Sequence, residues 1–219
     1  MQRIQQLALL PYVEARKLLR KYGLPTCGEV FFKREGELAR AVSKLSFPLV
    51  LKAIAPREVH KTEAGLVKTT LHSEREVVSA FKEISGNAER QGIALDGFLL
   101  QEQKSGVELI IGGKRDAVFG ETVLFGSGGL LTELFQDVAV RVAPLSRKDV
   151  RGMVFETKAS AFFNEKGFRG KKVDFDVIAS IILKTSRLLL KEKRVQELDF
   201  NPVIANEKKA WIVDARFMV

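Results

Sequence analysis

Hydrophobic and polar positions along the chain follow two periods, one typical of helices and one typical of strands. Apolar residues at three- and four-residue spacing predict helices over Tyr12–Lys21, 35–45, Glu74–Arg90, 149–155 and 174–191. Short apolar or alternating runs predict strands over 47–53, 65–71, 98–102, 107–111, 121–125, 138–142, 195–204 and 210–215. These elements do not alternate regularly, so the pattern predicts an α+β fold with mostly antiparallel sheets.

A turn at residues 104–106 marks the expected boundary between two parts of the chain. It joins the predicted strands 98–102 and 107–111. The division places an N-terminal helix and a smaller lobe in residues 1–103, and a larger lobe in residues 104–219.

Polar and apolar residues alternate near the C-terminus, in the segment ELDFNPVI. Because the side chains of a strand point to its two faces in turn, Glu197, Asp199 and Asn201 share one face. Pro202 removes a backbone donor, which suits a sheet edge or a bulge.

A two-residue turn at Glu207 and Lys208 would set the register of this C-terminal hairpin. Residue i would then pair with residue 415 − i, which places Asn201 opposite Asp214. Such oxygen ligands suit Mg²⁺, which takes few protein carboxylates and completes its shell with water and phosphate oxygens. Two alternatives stay open, because Glu-Lys is not a favoured hairpin turn and the polar face is also that of an ordinary solvated hairpin.

Two lysines lie on either side of the loop that follows the first apolar strand. Lys52 is near the end of that strand, where a lysine is unusual unless its ammonium reaches an anion or solvent. Lys68 lies in the next strand. Lysines on neighbouring strands can hold a polyphosphate and neutralise its charge during transfer. The alternative is two surface lysines whose ammonium groups simply reach water.

The loop between these strands, APREVHKTEAG, carries His60. Imidazole is a nucleophile that can carry a phosphoryl group covalently. An ordinary surface histidine gives the same pattern, and this is our interpretation of His72. The chain contains no GxxxxGK[ST] or GxGxxG segment, so the two common glycine-rich phosphate loops are excluded.

The net charge of +9 indicates an anionic partner such as a phosphorylated metabolite. Acidic and basic residues are interleaved without a basic stripe, so we expect no nucleic-acid binding. No apolar run is long enough to span a membrane, and Pro11 and Glu14 interrupt the first apolar stretch too early for a signal peptide. The single cysteine, Cys27, fits a cytoplasmic protein.

Three long segments occur in one order: VLKAIAPREVHKTEAGLVK, then GVELIIGGKRDAVFGETVLFGSGGLLTELFQDVAVRVAPL, then ELDFNPVI with VDAR. In these segments the chain resembles the ATP-grasp β subunit of ADP-forming acyl-CoA synthetases (acetate–CoA ligase, ADP-forming), over residues 12–216. The resemblance implies an ATP-grasp fold, in which two α+β lobes hold ATP or ADP together with Mg²⁺.

The resemblance also implies roles for individual residues. Lys52 and Lys68 match the lysines that contact phosphates, and Lys52 is counted with His60 among the catalytic residues. The stretch of Gln101, Glu102 and Gln103 matches the one whose backbone meets adenine, and Glu108 matches the acid that holds the ribose. Asn201 and Asp214 match Mg²⁺ ligands, with Asp199 as the acid of a D-x-N form of the family's E-x-N pattern.

His60 matches a loop histidine that is phosphorylated transiently in this family. The implied reaction converts acyl-CoA, ADP and phosphate into acid, ATP and CoA. A partner α subunit makes acyl phosphate and takes up the phosphoryl group on its own histidine, and His60 then passes that group to ADP. The chain shows no CoA site of its own, so we expect an obligate α partner, in the α2β2 assembly that the resemblance implies.

The chain departs from the family pattern at two positions. Leu66 replaces the second glycine of H-K-[ST]-[DE]-x-G-G-V, and Ser127 stands where an apolar residue is common. Glu133 and Arg141 match recurrent positions without an assigned role. Two other functions stay open: a stand-alone ATP-grasp ligase that joins a carboxylate to an amine and does not need His60, and a non-catalytic nucleotide-binding regulatory module.

Overall fold

A computed structural model describes residues 7–57, 59–128 and 137–219. The chain divides into two compact units. The small unit is Cys27–Lys104. The large unit combines Ser105–Val219 with Met1–Thr26, of which residues 7–26 are described.

The small unit is a four-stranded antiparallel sheet with helices. Its strands are β1 (Glu29–Phe32), β2 (Leu49–Ile54), β3 (Val67–Leu71) and β4 (Gly97–Glu102), in the order β1-β4-β2-β3. Its helices are α2 (Leu38–Val42), which follows a 3-10 turn at Glu35–Glu37, and α3 (Glu74–Arg90).

Helix α3 begins and packs as its sequence dictates. The Ser73 side chain caps it by accepting a hydrogen bond from the Glu76 N–H. Val77, Phe81 and Ile84 recur at helical spacing and enter the same core as Leu49 and Leu51 of β2. The helix therefore covers one face of the small sheet.

The large unit is built on a six-stranded sheet. Its strands are β5 (Val107–Asp116), β6 (Gly120–Ser127), β7 (Val138–Val142), β8 (Glu197–Ala205), β9 (Ala210–Ile212) and β10 (Ala215–Met218). The order is β10-β8-β5-β6-β7, with β9 also paired to β8, and these pairs are antiparallel. Its helices are α1 (Tyr12–Lys21), α4 (Arg147–Glu156) and α5 (Phe175–Lys191), with a 3-10 turn at Lys158–Phe162.

Alternate strand residues and the helices share one core in the large unit. Ile111, Phe125 and Phe200 are fully buried and belong to the same cluster as Ile178 and Ile182 of α5. Each such side chain contributes roughly 1.5–3 kcal/mol relative to an exposed position. The strand positions between these buried residues lie on the other face of the sheet.

The N-terminal segment belongs to the large unit, whereas the sequence-based division grouped it with the smaller lobe. Ala8 and Val219 exchange two backbone hydrogen bonds of 2.9 Å, which place the segment beside β10. Leu18 and Leu19 of α1 then enter the core of the large unit. The apolar stripe of a helix predicts that it will be covered, but not which sheet will cover it.

The α+β fold class is confirmed, as are the predicted bounds of α1, α3 and β7. Residues 104–106 connect β4 and β5, which lie in separate sheets. The single strand predicted over 210–215 is wrong, because β9 and β10 are separate strands. Strand β1 was missed because four residues are too few for a clear period. Within the described ranges, no helix is long and apolar enough to cross a membrane.

Candidate functional site

Three polar residues singled out from the sequence lie on the face of the large sheet that its core does not cover. They are Asp199, Asn201 and Glu108. In β8, Leu198 and Phe200 are buried, while Asp199 and Asn201 alternate with them on the opposite face. The pairing of β8 with β5 shifts register between Leu109 and Ile111, and beyond this shift the buried residues of β8 become Val203 and Ala205. The shift lies opposite Pro202, which confirms that this proline marks a bulge.

Glu108 lies on the same open face. It is exposed between two buried neighbours, Val107 and Leu109, and pairs with Ile204 of β8. Its carboxylate is therefore presented on the side of the sheet that bears Asp199 and Asn201, not on the side that the core covers.

The register of the C-terminal hairpin is the one predicted from its turn. The Asn206 N–H donates to the Lys209 carbonyl at 2.9 Å, which closes the two-residue turn at Glu207 and Lys208. Ala205 pairs with Ala210, and Val203 with Ile212. The same register resumes where β10 begins, with Ala215 opposite Phe200. It therefore places Asp214 opposite Asn201.

This arrangement fits a magnesium ion. By this register Asn201 and Asp214 would offer an amide and a carboxylate oxygen from facing positions, and Asp199 lies two residues before Asn201, opposite Arg216. Among the described residues there is no cluster of three or more His, Cys, Asp or Glu that could hold a metal ion. Mg²⁺ often takes only one or two protein carboxylates, while nucleotide phosphates and water complete its shell. The residues present here would therefore suit a Mg²⁺ ion that is bound together with a nucleotide.

Lys52 and Gln101 share the face of the small sheet that α3 does not cover. Lys52 pairs with Leu99 and Val50 with Gln101, while the alternate residues Leu51 and Leu100 enter the core. Gln101 is 3% exposed, and its amide donates to Glu29 at 2.6 Å. The strand thus places Lys52 on the face that α3 does not cover.

Lys68 lies on the other face of that sheet. It pairs with Leu51, whose side chain is in the core with α3, and its ammonium is 2.7 Å from the Glu83 carboxylate on α3. The structure therefore does not bring Lys52 and Lys68 together as a clamp. A one-residue register shift between Leu49 and Leu51 sets the pairing of β2 and β3, and such a shift exchanges the faces of every residue beyond it.

The stretch after Gln101 is held by contacts within the small unit. The Glu102 N–H donates to Gly28 and the Gln103 N–H to Pro48, each at 2.9 Å. The Gln103 side chain also accepts a 2.6 Å hydrogen bond from the Thr70 N–H. A backbone contact from Glu102 or Gln103 to a base is therefore confined to their carbonyl oxygens, because each N–H is already used.

Lys104 is a cation near this stretch that the sequence analysis missed. It donates to Glu102 at 2.7 Å, and this contact is the largest cause that lowers the pKa of Glu102. Burial, helped by Glu29, raises the pKa of the Cys27 thiol to about 11, and both Lys52 and Lys104 oppose that rise. Two ammonium groups therefore act on one buried thiol. Lys104 lies in the loop after β4, and a loop has no periodic pattern from which the direction of a side chain could be predicted.

His60 is exposed and precedes a turn at residues 61–65. The turn ends at Leu66, which is 1% exposed and belongs to the core of the small unit. The Leu66 carbonyl accepts a hydrogen bond from the Ala53 N–H at 2.9 Å. Leu66 thus anchors the end of the loop, while His60 faces solvent.

The remaining positions singled out from the sequence have structural partners or lie outside the description. The Ser127 hydroxyl donates to Asp137 at 2.6 Å. Arg141 forms an ion pair with Glu156 of α4. Glu133 lies outside the described residues.

Comparison with known proteins identifies the family of this chain. The ATP-grasp domain family model matches residues 3–219. A relative from Pyrococcus furiosus, the β subunit of ADP-forming acetate–CoA ligase I, is 35% identical over 210 residues, which are 94% of this chain and 90% of that protein. The chain belongs to the ATP-grasp family of ADP-forming acetate–CoA ligase β subunits.

Two further relatives extend this comparison. The ADP-forming 4-hydroxybutyrate–CoA ligase of Nitrosopumilus maritimus is 36% identical over 89% of this chain, but the match covers only 28% of that longer protein. A structure of the dinucleotide-forming acetyl-coenzyme A synthetase 1 of Ca. Korarchaeum cryptofilum is 40% identical, with a TM-score of 0.82 over 97% of this chain and 93% of that one. That structure contains coenzyme A and Mg-AMPPCP, and its phosphohistidine segment points towards the nucleotide-binding site.

The comparisons confirm the family, the ATP-grasp fold and the ligase class that the sequence predicted. The β-subunit name of the Pyrococcus relative implies an α partner for that class of protein. These names assign no role to individual residues of this chain.

Proposed function

We propose that the chain is the nucleotide-binding β subunit of an ADP-forming acyl-CoA synthetase and that His60 is its phosphoryl carrier. The observation that carries the proposal is the exposed position of His60, on a loop anchored to the small unit whose sheet presents Lys52. Only two histidines occur in the chain, and His72 lies in the short connection before α3.

The reaction balances if acyl phosphate, a partner histidine and His60 carry the phosphoryl group in turn before it reaches ADP. On the α subunit, acyl-CoA and phosphate give acyl phosphate and CoA. A histidine of that subunit then takes the phosphoryl group as the P–O bond breaks and the acid leaves. The N–P bond of that histidine then breaks as an N–P bond to His60 forms. Finally the N–P bond of His60 breaks and an O–P bond forms to the β-phosphate of ADP, which yields ATP.

The remaining residues bind and orient the nucleotide. Lys52 contacts its phosphates, where an ammonium offsets the charge of the transferring group. Asn201 and Asp214, with Asp199, hold Mg²⁺, which supplies further charge neutralisation when bound. Glu108 accepts from the ribose, and the carbonyls of the stretch from Gln101 to Gln103 face the base. Lys68 has no part in this proposed nucleotide site, because its ion pair with Glu83 holds it on the face of the small sheet that α3 covers.

The α subunit supplies the CoA-binding site. The longer Nitrosopumilus relative supports this, because the region that matches this chain is only 28% of that protein, which leaves room for further domains in the same polypeptide. We propose an α2β2 assembly that resides in the cytoplasm, where the thiol of Cys27 stays reduced without a partner cysteine.

The direct test is transfer of label from γ-labelled ATP with Mg²⁺ to the protein, with and without an α subunit. Wild-type protein should gain acid-labile, base-stable label on His60, and His60→Ala should gain none. His72→Ala is the matched control, because it removes the other imidazole and should label normally. Wild-type protein that stays unlabelled, or His60→Ala that keeps its label, would refute the carrier role. Such a result would favour the carboxylate ligase, which needs no histidine.

A further inference from the structure

The segment after His60 is a closed turn with defined internal hydrogen bonds. The Ala64 N–H donates to the His60 carbonyl at 3.0 Å, and the Leu66 N–H to the Lys61 carbonyl at 2.7 Å. Gly65 has φ +63°, a left-handed conformation that favours glycine. The turn therefore has a hydrogen-bonded shape of its own.

Two side-chain amides at the end of α3 hold this turn. Asn87 donates from Nδ2 to the Gly65 carbonyl at 2.9 Å, and Gln91 donates from Nε2 to the Ala64 carbonyl at 2.9 Å. A Cβ added to Gly65 would lie 2.5 Å from Asn87 Nδ2, so glycine also permits the close approach. Two successive carbonyls of the turn are thus bound by two residues one helical turn apart.

The orientation of the Asn87 amide is fixed from its other side. Arg90 donates to Asn87 Oδ1 at 2.5 Å, which directs Nδ2 toward Gly65. The Gln91 amide also donates to the Asn87 carbonyl at 3.2 Å. Both donors are therefore preorganised by α3 itself.

These bonds have a strength that suits a contact which forms and breaks. Each neutral hydrogen bond shifts an equilibrium by about 2- to 12-fold. The apolar anchor at Leu66 is much stronger, so breaking the two amide bonds would free residues 61–65 and leave Leu66 in place. A carrier that visits both a partner subunit and its own nucleotide needs a docked position of this kind.

We propose that Asn87 and Gln91 form an amide latch that docks the turn on the small unit and positions His60 for exchange with the nucleotide. This inference rests on the proposed function, in which His60 carries the phosphoryl group. We assign the docked position to the nucleotide half-reaction because the latch belongs to the unit that carries Lys52, whereas acyl phosphate forms on the partner. The latch itself lies at the end of α3, which covers the face of the small sheet opposite to Lys52. Asn87 and Gln91 are positioning residues and do not touch the reacting atoms.

The test compares Asn87→Asp, Gln91→Ala and the double variant with wild type. Asn87→Asp keeps the contact with Arg90 but has no hydrogen to donate to Gly65. Gln91→Ala removes the other donor at an exposed helix end, where no core is disturbed. Lys82→Gln, on an exposed position of α3, is the control, because it changes the net charge as Asn87→Asp does.

Two readouts are needed. Hydrogen exchange, followed by mass spectrometry on peptides that cover residues 61–66, reports docking without any chemistry. Labelling of His60 from γ-labelled ATP in a single turnover reports the half-reaction. We expect each latch variant to exchange about 2- to 12-fold faster and to label more slowly by a similar factor. The melting temperature and the Lys82→Gln control should match wild type.

The outcomes separate the latch from the proposed function. If wild-type His60 labels and the double variant changes neither exchange nor labelling, the latch is wrong. If exchange rises but labelling is unchanged, the amides dock the turn without positioning His60, and the inference fails. If exchange rises and wild-type His60 takes no label at all, the proposed function fails and the positioning role with it.

Discussion

Lys52 and Lys68 lie on opposite faces of the small sheet, although they occupy adjacent strands. Lys52 faces away from α3, whereas Lys68 pairs with Leu51 and forms an ion pair with Glu83 on α3. Two ammonium groups on opposite faces do not hold the same phosphate from their strand positions. In the proposed function the charge at the phosphates therefore comes from Lys52. Lys104, like Lys52, acts on the Cys27 thiol.

The two lysines should differ in their effect on nucleotide binding. Lys52→Ala removes a charge-assisted contact and should weaken ADP binding roughly 10- to 100-fold. Lys68→Ala is the matched control, because it removes the same charge but only a half-exposed ion pair of small net value. Titration calorimetry with Mg-ADP measures both. Equal losses for the two variants would show that Lys68 reaches the nucleotide after all.

The facing positions of Asn201 and Asp214 lead to a prediction for the metal. Asp214→Asn and Asn201→Ala should each weaken metal binding about tenfold or more, the scale seen when groups that support a bound metal are removed. Mn²⁺ can replace Mg²⁺ at oxygen ligands, so its electron paramagnetic resonance in the presence of ADP gives the affinity.

Glu197→Gln provides the control for this metal prediction. Glu197 lies on the same strand and the same face as Asn201, but further along β8. It should bind Mn²⁺ as wild type does. A loss in Glu197→Gln equal to that in Asp214→Asn would mean that the general negative potential of the face, rather than these ligands, binds the metal.

The C-terminal hairpin shows what the sequence determines well. The side chains of β8 alternate, and a two-residue turn fixes the register arithmetically, so the pairing of Asn201 with Asp214 followed from local sequence alone. The faces of Lys52 and Lys68 did not follow. The faces of these two lysines depend on a one-residue register shift between β2 and β3. Such a shift arises from the pairing of the strands and cannot be predicted from the sequence of either strand.

Leu66 illustrates a second limit of the sequence. The sequence shows it only as a departure from a glycine of the family pattern. In the structure it is 1% exposed and fills the core of the small unit. Burial depends on packing between α3 and the sheet, and a single apolar residue at the end of a polar loop does not indicate it.

Leu66 should therefore be important for stability. Leu66→Ala removes buried methyl groups and leaves a cavity, so the free energy of unfolding should fall by about 2–5 kcal/mol. Urea denaturation followed by circular dichroism measures the loss. Val118→Ala is the control, because Val118 is 82% exposed, and it should change stability by less than about 0.5 kcal/mol. A small loss in Leu66→Ala would mean that the loop, not the core, accommodates this side chain.

Glu121 should make stability depend on acidity. Lys193 and its own backbone N–H, followed by Arg115, hold the pKa of the Glu121 carboxyl at about 2. The pKa of a glutamate in the unfolded chain is about 4.3, so the folded state favours the charged form. The stabilising contribution is therefore complete above that pKa and is lost as the pH falls toward 2.

Glu121→Gln and Lys193→Ala test this relationship together. The difference in unfolding free energy between wild type and Glu121→Gln should be constant from pH 7 to about pH 5 and should shrink between about pH 4 and pH 2, because protonation removes the same charge that the substitution removes. In Lys193→Ala the largest cause of the shift is absent, so the pKa of Glu121 should rise and the decline should end at a higher pH. Urea denaturation at several pH values gives both curves. A wild-type advantage that persists unchanged down to pH 2 would show that Glu121 stabilises the large unit by packing rather than by charge.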